Sequence, residues 1–186
     1  EVLDLMLVLD RSGSIDATEL QTLKDAANAF VTALTPTADE VHMGQTSFAT
    51  TGSLDLHLTG VEADAHTAID ALVSGGFTNL KEGIQLATAE LDNAHGHERP
   101  AAPDVMVIIT DGAPTRPAGS AAADGIAAAD AARAAGVEVF VVGIGVTAGT
   151  ETYLKDDIAD DAAHYFAADD FEDLNPILQD LAICEE

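Results

Sequence analysis

Two hydrophobic periods alternate along this chain. Residues 2–9 are almost continuously apolar, the pattern of a central strand covered on both faces. Asp16-Ala17-Thr18-Glu19 then forms an Asp-x-x-Glu capping box. Leu20, Leu23, Ala27, Phe30, Val31 and Leu34 follow at helical spacing, and this first helix is expected to end near Thr35-Pro36. Val41, Met43 and Gln45 alternate with His42, Gly44 and Thr46 as far as Phe48, which reads as a strand. Leu54, Leu56 and Leu58 alternate with Asp55 and His57 as a half-buried edge strand. The short Thr50-Thr51-Gly52-Ser53 link makes these two strands an antiparallel hairpin. Residues 65–73 form a short helix. Gly75-Gly76-Phe77-Thr78-Asn79 is a tight loop opening a helix whose apolar face is Leu80, Ile84, Ala87 and Leu91. A polar loop follows over residues 93–103.

Residues 105–109 are a second buried strand, stopping at Thr110-Asp111-Gly112. Pro114 and Pro117 shape the next loop, and Ser120 is placed to cap an alanine-rich helix ending at Gly136. Residues 137–142 are a third buried parallel strand. A short helix is expected over residues 151–158 and a brief strand at His164-Tyr165-Phe166. Asn175 is placed as N-cap of a last helix, with Pro176 at its first position and Ile177, Leu178 and Leu181 as its apolar face. Strands alternating with helices predict an α/β fold. The sheet is doubly wound and mostly parallel, with one antiparallel edge strand, helices on both faces and right-handed crossovers. The 186 residues suit a single domain, 1–186. Because the chain starts directly at a core strand, it is expected to be cut from a longer protein.

Composition narrows the partners. Seven Lys+Arg face 33 Asp+Glu, a formal charge of −26. Too few cations are available to neutralise phosphates, which argues against a nucleic-acid partner, and equally against an anionic membrane surface. No run of 18 apolar residues occurs, so no direct membrane insertion is expected. Hydrophobic residues make up 47% of the chain, which rules out a disordered acidic tail. The acid is spread along the whole chain, lysines are few and aromatics are 4%. That pattern suits a surface kept soluble at high salt, where self-repulsion is screened, and so a halophilic source; an ordinary acidic extracellular protein is the alternative. Cys184 is the single cysteine; it is either a buried thiol or half of a bridge to a segment outside the chain.

The chemistry concentrates in Asp10-Arg11-Ser12-Gly13-Ser14, directly behind the first strand. Alternate residues of an extended segment point the same way, so Asp10, Ser12 and Ser14 can aim three oxygens at one point. Small hard oxygens suit Mg²⁺, Mn²⁺ or Ca²⁺, and Gly13 lets the chain turn tightly between them. In doubly wound sheets ligands bind beyond the carboxyl ends of the strands, where strand order reverses. If the first and 105–109 strands are neighbours there, Asp10 and Asp111 face one crevice, and Thr78 can approach from a third loop. Other signals are weaker. Asp10 is placed like an aspartyl nucleophile, but a haloacid-type hydrolase needs a second Asp where Ser12 stands. Gly143-Ile-Gly145 is a partial dinucleotide motif late in the chain. His95-Gly-His97 could hold a soft metal, though two histidines in a polar loop are ordinarily just exposed.

Asp-x-Ser-x-Ser after the first strand, Thr78 in Gly-Gly-Phe-Thr-Asn and Asp111 in Thr-Asp-Gly together resemble a von Willebrand factor type A (vWA) domain across essentially the whole chain. The resemblance implies a complete metal-ion-dependent adhesion site (MIDAS). In it Ser12, Ser14 and Thr78 supply hydroxyls, while Asp10 and Asp111 act directly or through water. It implies a Mg²⁺ (or Mn²⁺/Ca²⁺) cofactor and a non-enzymatic, monomeric module whose metal binds a Glu or Asp of a protein partner. Arg11, Phe77, Thr115, Arg116 and residues 145–149 form the ligand rim. The expected setting is extracellular or cell-surface; an intracellular scaffold beside an ATPase or chelatase is the alternative. The last helix, residues 175–183, would slide on ligand binding, as in some adhesive members.

Overall fold

The computed structural model describes residues 2–92 and 94–184, with the side chains of Ile183 and Cys184 outside that description. The expectation for the Cys184 thiol therefore falls outside the described residues.

Strand β1 (Leu3–Asp10) is buried at every position and forms the middle of a six-stranded sheet ordered β3-β2-β1-β4-β5-β6. The others are β2 (Val41–Phe48), β3 (Gly52–Thr59), β4 (Asp104–Thr110), β5 (Glu138–Ile144) and β6 (Tyr165–Ala168). All adjacent pairs run parallel except β2 and β3, as the hairpin reading requires. The two-residue period of β1 sorts its side chains onto two cores. Leu3, Leu5, Leu7 and Leu9 pack with α1 (Ala17–Leu34), α2 (Glu62–Asp70) and α6 (Leu174–Cys184). Met6 and Val8 pack with α3 (Leu80–Leu91) and α4 (Ala121–Ala134). The same core takes in Leu154 and Ile158, from the π-helical turn that follows α5 (Ala148–Tyr153). Each such fully buried aliphatic contributes about 1.5–3 kcal/mol. Helix α3 lies close on the sheet because Gly83 has no side chain: a Cβ there would sit 2.7 Å from Phe48 Cδ1.

Helix α1 starts as read from the capping box. Asp16 accepts from the amides of Thr18 and Glu19, and the Glu19 carboxylate accepts from the Asp16 amide at 2.8 Å. Other boundaries differ from expectation. Helix α2 begins at Glu62, where Glu62 and Asp64 suit a helix N-terminus, and ends before Val73. Helix α5 starts at Ala148 because the Thr147 side chain caps it. Ser120 makes no cap bond; its hydroxyl donates to Asp124 at 2.9 Å. Asn175 is not the N-cap of α6. Asp170 caps a 3₁₀ turn, Phe171–Asp173, that runs directly into Leu174, so Asn175 and Pro176 lie in the first helical turn. Burial of Phe171 and Leu174 against α1 draws the chain into helical form earlier than its polar residues suggest.

The edge strand also departs from simple alternation. Register shifts between β2 and β3 place Leu54 and Leu58 against one core and Leu56 against the other. An inserted residue switches the faces that period two would have kept together.

The amino-terminal edge of the sheet is locked by a charge pair. Asp4 in β1 is fully buried. It accepts from the Arg99 amide at 2.7 Å and Arg99 Nε at 2.8 Å, while Nη2 of the same guanidinium donates to the carbonyls of Leu3 at 2.6 Å and Glu40 at 2.7 Å.

Candidate metal centre

The chain leaves β1 toward β2 on one side, and β4 lies on the other. Strand order thus reverses between β1 and β4, and that is where a doubly wound sheet opens a crevice. Asp10 is the last residue of β1 and Asp111 follows the last residue of β4. The two loops are joined through hydroxyls. Ser12 Oγ lies 3.1 Å from Ser14 Oγ, and Ser14 Oγ donates to Asp111 Oδ1 at 3.0 Å. Asp10 Oδ1 accepts from the Ser12 amide at 2.8 Å, and Oδ2 accepts from the Thr110 hydroxyl at 2.6 Å. Thr110 escaped the sequence reading because a threonine ending a strand carries no distinctive signal; only its neighbour on β1 gives it a task.

Thr78 reaches the same edge through its backbone. Gly13 N–H donates to Gly76 O at 3.1 Å, and Gly75 N–H donates to Arg11 O at 2.9 Å. On the far side the Thr78 amide donates to Thr115 Oγ1 at 3.0 Å, and Thr78 O accepts from the amides of Thr115 and Arg116 at 2.8 and 3.1 Å. The 75–79 loop is thereby wedged between the other two. Gly76 has φ +86°, and a Cβ there would strike the Thr50 hydroxyl. Gly13 serves close approach: its Cβ would lie 3.0 Å from Gly76 O, so the glycine admits the neighbouring loop as well as shaping its own.

The rim residues divide. Phe77 is 49% exposed, and the Arg116 guanidinium sits 3.6 Å from its ring centroid, a cation–π contact. Thr115 is tied to Thr78. Arg11 turns to the α2 side, where Nε donates to Ser47 Oγ at 3.0 Å and the side chain lines a cavity with Asp55 and Leu72. The 145–149 loop is anchored elsewhere, with Gly145 N–H donating to Ala168 O at 2.9 Å and Thr147 capping α5.

The electrostatics favour a cation. Burial pushes the Asp10 carboxyl up to about 6; the Thr110 and Ser12 bonds pull against it, and Asp111 adds repulsion. Burial also raises Asp111, opposed by Ser14 and assisted by Glu19. The cationic side chains that form ion pairs do so elsewhere: Arg99 with Asp4, Arg133 with Asp130, Lys81 with Asp124. A fully buried carboxylate stabilised only by neutral donors, beside a second one, costs free energy that a cation would recover. Every side-chain donor at this edge is oxygen, so the residues fit a hard divalent ion.

Residues 4–180 match the family model for the von Willebrand factor type A domain. The chain belongs to that family. It is 31% identical over 158 residues to a UPF0353 protein of Mycolicibacterium paratuberculosis (strain ATCC BAA-968 / K-10), a match covering 80% of this chain and 46% of that protein. The vWA domain thus spans about half the length of this curated relative. Its fold is similar to the pilus adhesin SpaC from Lactobacillus rhamnosus GG, with a TM-score of 0.84 at 16% identity over 99% of this chain and 30% of that one. It is also similar to proximal thread matrix protein 1 from the mussel byssus, solved with a zinc-occupied MIDAS motif. There the TM-score is 0.78 at 22% identity, covering 99% of this chain and 46% of that one. At such identities the likeness is one of fold. Among the described residues no helix is long and apolar enough to cross a membrane.

Proposed function

We propose that this vWA domain is a divalent-metal-dependent protein-binding module with a MIDAS formed by Asp10, Ser12, Ser14, Thr78 and Asp111. The observation that carries the reading is the Ser14 to Asp111 hydrogen bond at 3.0 Å. It joins two loops 97 residues apart into one oxygen cluster around an uncompensated buried carboxylate. When bound, Mg²⁺, Mn²⁺ or Ca²⁺ supplies an electrophilic position for an incoming carboxylate. Asp10 and Asp111 hold the charge, the three hydroxyls complete the oxygen set without neutralising it further, and Thr110 and the Ser12 amide fix the Asp10 carboxylate. The partner presents one Glu or Asp. Phe77 and Arg116, stacked at the rim, supply an apolar face and a positive charge beside it, which suits an acidic peptide segment. The fold likeness to a pilus adhesin and a byssus matrix protein supports an adhesive role at a cell surface or outside the cell. The acidic composition supports a high-salt setting.

Calorimetric titration of metal-free protein with Mg²⁺, Mn²⁺ and Ca²⁺ in high salt tests the reading. One saturable site, lost in both Asp111→Ala and Ser12→Ala, is the expected result. Weak, unsaturable binding unchanged by either substitution would leave the acidic surface as the only metal sink and overturn it.

A further inference from the structure

We propose that His57, Glu90, His95 and His97 form a second metal site, for a borderline transition metal such as Zn²⁺, at the opposite end of α3 from the MIDAS. From the sequence the 95–97 histidines could hold a soft metal or simply lie exposed in a polar loop. They are exposed, and they also close over a carboxylate that the sequence reading passed over.

Glu90 lies on the sheet-facing side of α3 and is fully buried. The register shift in β3 brings two groups to it: the Leu58 amide donates to Oε1 at 3.0 Å, and His57 Nδ1 lies 3.0 Å from Oε2. The loop after α3 brings two more. His95 Nδ1 lies 2.8 Å from Oε2, and His97 Nδ1 lies 3.2 Å from Oε1. All three imidazoles present the same ring nitrogen to one carboxylate. The ring of His57 packs against those of His95 and His97, with centroids 5.2 and 4.3 Å apart. The three histidine side chains are 40–50% exposed while Glu90 is not exposed at all, so the cluster is open to solvent on one side and rigidly backed on the other. Burial pushes the Glu90 carboxyl up, but the Leu58 amide and His57 outweigh it and hold it below the usual range.

Two nitrogens and a carboxylate oxygen, from His57, His95 and Glu90, with His97 on the other Glu90 oxygen as a fourth group, are the donor set of a borderline ion, not of the hard ion that suits Asp10 and the serines. The dimensions fit. Ligand atoms about 2.0–2.1 Å from a tetrahedral Zn²⁺ stand about 3.3 Å from one another. The nitrogen to Glu90 oxygen separations are 2.8–3.2 Å, and the ligand atoms of His57, Glu90 and His95 all lie within 4.8 Å of one another. Small side-chain adjustments close the shell. Helix α3 rises about 1.5 Å per residue, so ten residues separate this cluster from the Thr78 end by about 15 Å, and the two sites can be titrated separately. The expected consequence of occupancy is that β3 is tied to α3 and to the 94–103 loop.

The test is calorimetric titration of Zn²⁺ into the Asp111→Ala chain, in which the proposed MIDAS is disabled, and into the same chain also carrying His57→Ala, His95→Ala or His97→Ala. Expected is one Zn²⁺ per chain, with affinity lowered by about 100-fold or more in His57→Ala and His95→Ala. Co²⁺ should give the intense visible bands of a tetrahedral ion in the Asp111→Ala chain and lose them in the histidine variants. Mg²⁺ binding to the chain with Asp111 intact should be indifferent to the histidine substitutions, so failure here is distinguishable from failure of the MIDAS reading. Should His57→Ala not fold, the loop variant His95→Ala carries the test. Absence of saturable Zn²⁺ binding, or binding that survives His57→Ala and His95→Ala, would overturn the proposal and leave the imidazoles as hydrogen-bond donors to Glu90.

Discussion

Strand β1 carries two fully buried aspartates, Asp4 and Asp10, near its two ends. Asp4 is met by a guanidinium and a backbone amide of Arg99, at 2.6–2.8 Å. Asp10 is met only by neutral groups, the Ser12 amide and the Thr110 hydroxyl. Residue type, burial and strand are the same; the difference is the counter-charge. At the amino-terminal edge the protein supplies its own cation, and the carboxylate is structural. At the carboxyl edge it supplies none and places a second carboxylate, Asp111, nearby. For the fully buried Asp10 that condition is one an external cation would relieve. On β5, near the amino-terminal edge, His164 bridges Glu138 and Asp161, each at 2.8 Å. On β4 the division is less clean: Asp104 stands beside Asp4 and Glu98, and burial with their charges pushes its carboxyl up to about 6.

That comparison can be broken or sharpened by substitution. The largest effect is expected from Arg99→Ala. Removing one partner of a buried pair costs about 3–5 kcal/mol, and chemical denaturation should show that loss with metal binding to the remaining folded protein unchanged. If the loss is negligible, Asp4 is not held by charge and the contrast fails. Asp10→Asn should behave in the opposite way. Metal affinity should drop on the order of 100-fold or more, seen by calorimetry, while the metal-free protein keeps its stability or gains some, because a carboxyl destabilised by burial has been made neutral.

A third substitution separates the scaffold of the site from its donors. Asp16→Ala removes the cap of α1 and should cost about 1 kcal/mol in denaturant unfolding, with the stoichiometry of metal binding unaltered. The smallest effect concerns His164. Burial opposes its charge, but the Asp161 and Glu138 carboxylates outweigh that and raise its proton affinity in the folded state. A group raised on folding contributes its stability fully below its unfolded value, about 6.5, and loses it as pH rises through the folded value. The thermal midpoint should therefore fall slightly between about pH 6 and about pH 8, and His164→Gln should flatten that part of the profile. A midpoint that rises over this interval in the wild type alone would contradict the pairing.

Most of the fold could be read from local pattern because the pattern and the burial coincide. The unbroken apolar run of β1, the Asp16–Glu19 capping box and the helical spacing from Leu20 to Leu34 each name their own structure. Errors fell where a distant contact outranked a local preference. Asn175 has the chemistry of an N-cap, yet burial of Phe171 and Leu174 moved the start of α6 forward. Leu54, Leu56 and Leu58 have a perfect period of two, yet the mismatch with β2 sent Leu56 to the other core. His95 and His97 are solvent-exposed as read, but the group they meet was not legible, because Glu90 lies inside an amphipathic helix and carries no sign of its burial.

The sequence by itself determined the layered α/β architecture and the place of β1 at its centre, which follow from periodicity. It nominated Asp10, Ser12, Ser14, Thr78 and Asp111 as donors through the rule that doubly wound sheets present their carboxyl ends together with the resemblance to a vWA domain. Only the tertiary structure decided which charges are compensated. Asp4 and Asp10 look alike in the chain, and Arg99 and Thr110 are far from both. Whether a buried carboxylate is neutralised or left open depends on groups brought within about 3 Å by strand order and loop packing, and local sequence does not encode that distance.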